Sequence, residues 1–104
     1  MKLALTLTLC LATTGAQAQF VDGHKLFSLM NGTTEDIRFA QGFVSGAADQ
    51  MMGTEWCPSE GVTIQQAYDV TKTWVTNMPK NRDYAGIIFV QVALSKQWPC
   101  RVAP

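Results

Sequence analysis

Two cysteines, Cys57 and Cys100, constrain this chain more than any other feature, and the N-terminus decides how they are read. Met1-Lys2 precedes an apolar run from Leu3 to Ala12, and Ala16-Gln17-Ala18 stands before Gln19. A basic start, an apolar stretch and a small-x-small site form the pattern of a cleaved secretory signal. The run is about half of the roughly 20 residues that a membrane-spanning helix needs, so residues 1–18 are expected to be removed rather than to anchor the chain. Cys10 leaves with them, since Leu9 occupies the place where a lipoprotein signal needs a small residue. The two remaining cysteines lie in an exported chain, where disulfides persist, and are expected to pair. Closing the loop between them is worth roughly 4 kcal/mol on the chain-entropy relation. For a mature part spanning residues 19–104, which buries only a modest core, that is a large share of the stability.

Without Lys2, one of eight basic residues, the chain carries a net charge of −1 against its eight acidic ones, with His24 neutral. No cluster of Lys or Arg is present to displace counterions from nucleic acid or to bind an anionic membrane surface. Neither partner is expected, nor any membrane association after signal cleavage. The mature part has no linker, repeat or low-complexity tract and reads as a single domain.

Its periodicity is helical. Leu26, Phe27, Leu29 and Met30 predict a short first helix ended by Asn31-Gly32. Thr33 with Asp36 opens a second helix whose Ile37, Ala40, Val44, Ala47 and Met51 recur at spacings of three and four, up to Gly53. Thr63 and Gln66 form a capping-box pattern for a third helix, which Ala67, Val70, Trp74, Val75 and Met78 continue until Pro79 stops it. The last element, residues 83–98, holds the β-branched run Ile87-Ile88-Phe89-Val90. A single strand with no partner would leave its backbone groups unpaired, so a central helix buried on most sides is expected. The fold class is therefore all-α: a small four-helix bundle, its first helix short, stapled by one intramolecular disulfide. Helices three and four, running antiparallel, bring Cys57 and Cys100 to the same end.

Catalytic groups are sparse. His24 is the only histidine and reads as a solvated surface residue, and Ser45 in Gly42-Phe43-Val44-Ser45-Gly46 lacks the glycine two places before it that a nucleophile elbow requires. Zinc needs three or four ligands, and both cysteines are committed to each other. No Gly-rich loop with a lysine offers a phosphate site. Neither a catalytic site, a metal nor a cofactor is expected, and the chain does not read as an enzyme.

Two features are less generic. Gly42 and Gly46 weaken helix two by about 1 kcal/mol each relative to alanine, so a close approach of another helix is expected, either within the bundle or in a dimer. Trp56, flanked by Glu55 and Glu60 in a disulfide-fixed loop, is either a binding hot spot or a lid folded over the disulfide. The turn around Lys80 and Arg82 is a second candidate binding region.

Three segments together resemble a known family, the Rap/Tai immunity proteins that protect bacteria against peptidoglycan amidase toxins of the type VI secretion system. They are Gly42-Phe43-Val44-Ser45-Gly46-Ala47-Ala48-Asp49, then Trp56-Cys57-Pro58-Ser59-Glu60-Gly61-Val62-Thr63, and Ala93-Leu94-Ser95-Lys96-Gln97-Trp98-Pro99-Cys100. The resemblance covers nearly the whole mature chain. It implies a small helical periplasmic protein, often a homodimer, that binds a cognate amidase and blocks its active-site cleft. Many members carry a second cysteine pair where Met30 and Ala40 stand here, which implies a first helix held less tightly. The alternative from a different class is a periplasmic stress or chaperone-like helical protein without a cognate toxin.

Overall fold

The structure is a computed structural model and describes residues 20–101; the expected signal segment, residues 1–18, lies outside them. Four helices follow one another: α1 (Gly23–Met30), α2 (Thr34–Met51), α3 (Ile64–Asn77) and α4 (Gly86–Gln97), with a single 3-10 turn (Pro79–Asn81) between the last two. Among the described residues there is no strand, and the β-branched run of α4 is helical, as its length demands.

Each start is chemically determined. The Asp22 carboxylate accepts from the Lys25 amide at 2.8 Å and caps α1. Thr33 with Asp36, and Thr63 with Gln66, close full capping boxes on α2 and α3, each satisfying two otherwise orphaned amides. At the end of α2 the chain reverses through Gly53, whose φ of +88° suits a residue without Cβ.

Leu26, Met30, Val44, Val75, Val90 and Leu94 are fully buried where the four helices meet. Thr71, the one buried polar side chain of this centre, donates to the Ala67 carbonyl at 2.9 Å and leaves no cost unmet. Cys57 and Cys100 are joined, their Cα atoms 4.8 Å apart across a sequence separation of 43. The Cys57 amide also donates to the Trp98 carbonyl at 2.9 Å, so backbone and sulfur tie the same two segments.

Met30 and Ala40, the positions at which the resemblance implies a second cysteine pair, both lie in the core. The first helix is nonetheless firmly attached at its other end. The Gly23 amide donates to the Tyr84 carbonyl at 2.9 Å, the His24 amide to Arg82 at 3.0 Å, and the Gly86 amide to Val21 at 2.7 Å. This short antiparallel clasp brings backbones so close that a Cβ on Gly23 would lie 2.6 Å from the Phe89 ring and 2.7 Å from the Arg82 Cα. A Cβ on Gly86 would lie 2.9 Å from the Val21 carbonyl oxygen.

Close approach was expected at Gly42 and Gly46 instead, and within the bundle it does not occur. A Cβ on either meets nothing within 4 Å, because both face away from the core. The contrast gives a direct stability test. Gly23→Ala and Gly86→Ala each force backbone apart and should lower stability by roughly 1–3 kcal/mol. Gly42→Ala and Gly46→Ala should raise the stability of dilute protein by roughly 0.5–1 kcal/mol through helix propensity. Urea unfolding followed by circular dichroism distinguishes the two pairs. Replacing both cysteines by alanine should cost roughly 2–5 kcal/mol in the same assay.

Candidate functional site

The disulfide loop does not present its tryptophan. Trp56 is only 2 % exposed; its indole N–H donates to the Ala48 carbonyl at 2.8 Å, and its ring lies 5.7 Å from that of Trp98. Of the two expectations for this residue, the inward fold holds and the hot spot does not. A buried indole with its polar edge satisfied is a core element. Arg82 is likewise committed. Its guanidinium sits 3.7 Å from the Phe27 ring centroid and donates to the Val75 and Thr76 carbonyls, closing the C-terminal end of α3.

Glu55, Glu60 and Lys80 remain exposed. The Glu55 carboxylate accepts from the side-chain amide of Gln91 at 2.8 Å, which places it against α4. Lys80 lies in the 3-10 turn between Met78 and Asn81, two residues at the other end of the same helix's outer side.

That outer side is what the sequence reading missed. α4 is apolar nearly all round, yet the bundle covers only the side carrying Gly86, Phe89, Val90, Ala93 and Leu94. Tyr84 is 57 % exposed, Ile87 42 % and Ile88 39 %, and with Gln91 they recur at helical spacing along one stripe. Beside it, a cleft of about 150 Å³ opens between α3 and α4, lined by Trp74, Met78, Tyr84, Ile88 and Val92 with Asn81 as its polar member. A signal for this surface did exist: a helix with apolar residues on every side needs cover on every side, and three partners in a short chain do not supply it.

His24 Nε2 lies 3.1 Å from the Asp83 carboxylate, and the two side chains are 59 % and 88 % exposed, a surface pair. Among the described residues no group of three or more His, Cys, Asp or Glu is arranged to hold a metal ion.

A second groove runs between α2 and α3, about 320 Å³, lined by Gln41, Gly42, Ser45, Ile64, Gln65 and Tyr68. Tyr68 is 5 % exposed and its hydroxyl has no hydrogen-bond partner among the described residues. Burial, and after it the charge of neighbouring Asp69, push that hydroxyl above its ordinary range, so it is a proton donor at neutral pH.

Against known proteins, no curated protein matches the chain. A family model does, that of the Rap1a immunity proteins, aligned to residues 7–100. The match spans all four helices, both cysteines of the disulfide and the cleft between α3 and α4. This chain belongs to the Rap1a immunity protein family.

Proposed function

We propose that the protein is a periplasmic immunity protein, exported by a signal peptide at residues 1–18, that binds a cognate peptidoglycan amidase of the type VI secretion system and occludes its cleft. Family membership supports the immunity role. The observation that carries the docking reading is the uncovered apolar stripe of α4, with Tyr84, Ile87 and Ile88 half in solvent beside the cleft under Trp74 and Met78. Contiguous exposed apolar surface of this kind marks an interaction site, and a cleft beside it accepts one apolar anchor from the partner. Glu55 at Gln91 and Lys80 at the opposite end supply charges of both signs around it, the polar rim that steers and registers a protein partner. Occlusion needs shape and affinity and no catalytic group.

The test is binding of the exported protein to an amidase encoded beside it. Ile88→Asp and Tyr84→Ala should each weaken affinity by roughly thirtyfold or more while the helical circular dichroism and unfolding midpoint stay near wild type. Glu60→Ala, away from the stripe, should change little. Unchanged affinity in both α4 variants would remove the face from the reading. Failure of any candidate amidase to be retained or inhibited would remove the cognate toxin, and capture of unfolded proteins through the same stripe would favour the chaperone-like alternative.

A further inference from the structure

The lining of the cleft between α3 and α4 specifies what can enter it. Phe89 is buried and Trp74 partly buried. These two rings, the thioether of Met78 and the aliphatic side chains of Ile88 and Val92 leave about 150 Å³ of space that opens beside Tyr84. A space of this size holds one benzene-sized ring. Rings and a thioether sulfur on its walls favour an aromatic occupant over an aliphatic one.

Charge narrows the choice. Among the described residues that line the cleft none is acidic or basic. The charges of the adjoining turn are engaged elsewhere or stay in water. Lys80 is exposed outside the lining, Arg82 is turned onto the Phe27 ring and the Val75 and Thr76 carbonyls, and Asp83 faces His24. An ionised side chain entering the cleft would lose its water and gain no counter-charge. The one amide in the lining is Asn81, half-buried at the end of the 3-10 turn. Its backbone holds that turn: its N–H donates to the Met78 carbonyl at 3.0 Å, and its carbonyl accepts from the Tyr84 amide at 3.0 Å. The side-chain amide is left to the cleft. An occupant that covers it without a hydrogen bond strands a polar group.

Tryptophan, tyrosine and arginine are the residues that most often anchor protein interfaces. The uncharged lining excludes arginine, and room for a single ring excludes tryptophan. Tyrosine brings one ring and a hydroxyl that can both donate to and accept from an amide.

We infer that the cleft between α3 and α4 is a tyrosine pocket, which takes the neutral phenol of one tyrosine of the partner protein against Trp74, Met78 and Phe89, its hydroxyl bonded to the Asn81 side chain. Asn81 is then the residue that sets specificity on this face. The inference rests on the docking reading of α4 and adds to it the chemistry of the partner's anchor.

Side-chain analogues test it without the partner. p-Cresol and toluene, the analogues of tyrosine and phenylalanine, are titrated into the oxidised, exported protein while NMR shifts of the Asn81 side-chain amide and the Ile88 and Val92 methyls are followed. Toluene is the more hydrophobic, so a purely apolar cleft binds it more tightly. The bond to Asn81 should reverse that order and favour p-cresol by roughly fivefold. Asn81→Leu should restore the preference for toluene, and Val92→Phe, which fills the cleft, should weaken both, with helical circular dichroism unchanged in each variant. Wild type that binds p-cresol no more tightly than toluene overturns the inference, as does a preference for p-cresol that survives Asn81→Leu. An amidase that binds through Tyr84 and Ile88 but is indifferent to Asn81→Leu also overturns it, and leaves the immunity reading in place. A p-cresol-selective cleft in a protein that retains no amidase supports the pocket and removes the toxin.

Discussion

The closure of Cys57 on Cys100 is the constraint on which the rest of this small bundle depends, because it fixes where the loop after α2 must run. With the Cys57 amide bonded to the Trp98 carbonyl, Trp56 cannot point outward without breaking the turn at Gly53, whose amide bonds the Trp56 carbonyl at 2.8 Å. The indole is therefore driven under the loop, onto Trp98 and the Ala48 carbonyl. One covalent bond, two backbone bonds and one indole bond thus hold α2, the loop that leads to α3 and the end of α4 together. The opposite end lacks a sulfur bridge and uses a different device, the Gly23 and Gly86 clasp, in which backbone bonds form because no side chain stands between the segments.

How much of this was legible in the sequence follows from the range over which each feature is determined. The capping boxes at Thr33 and Thr63 and the stops at Gly53 and Pro79 depend on residues three or four apart, and they are where the residue pattern puts them. Cysteine parity, counted without the expected signal segment, points to the disulfide that Cys57 and Cys100 form. The orientation of Trp56 was not legible, because it depends on a carbonyl eight residues back across a turn whose shape the residue types do not specify. Arg82 read as a surface cation for the same reason: its acceptors are main-chain oxygens freed only once α3 has ended. The glycines show the limit most clearly. Gly23 and Gly86 look unremarkable in sequence and sit at the tightest approaches, whereas Gly42 and Gly46, with a recognisable spacing, border open space.

The α4 face was lost by a subtler step. Periodicity reports which residues are apolar, and burial does not follow from it: Ile87 and Ile88 stay half in solvent. In a bundle with only three other helices, one of eight residues, the available cover is finite, and it goes to the side bearing Phe89, Val90, Ala93 and Leu94. The remaining apolar side chains are left in contact with water at a cost to the solubility of the isolated chain. A protein that spends its working life bound can carry such a stripe, since the surface is covered in the bound state.

The bundle's two open faces differ in kind, and the difference follows from side-chain size. The α4 stripe offers large apolar groups beside a cleft; it gains by removing area from water, which any well-shaped surface can do. The outward side of α2 is interrupted by Gly42 and Gly46, where a Cβ would meet nothing within 4 Å, and offers no comparable run of large apolar side chains. The first is the kind of surface that can follow a changing target by exchanging a few residues around Tyr84 and Ile88.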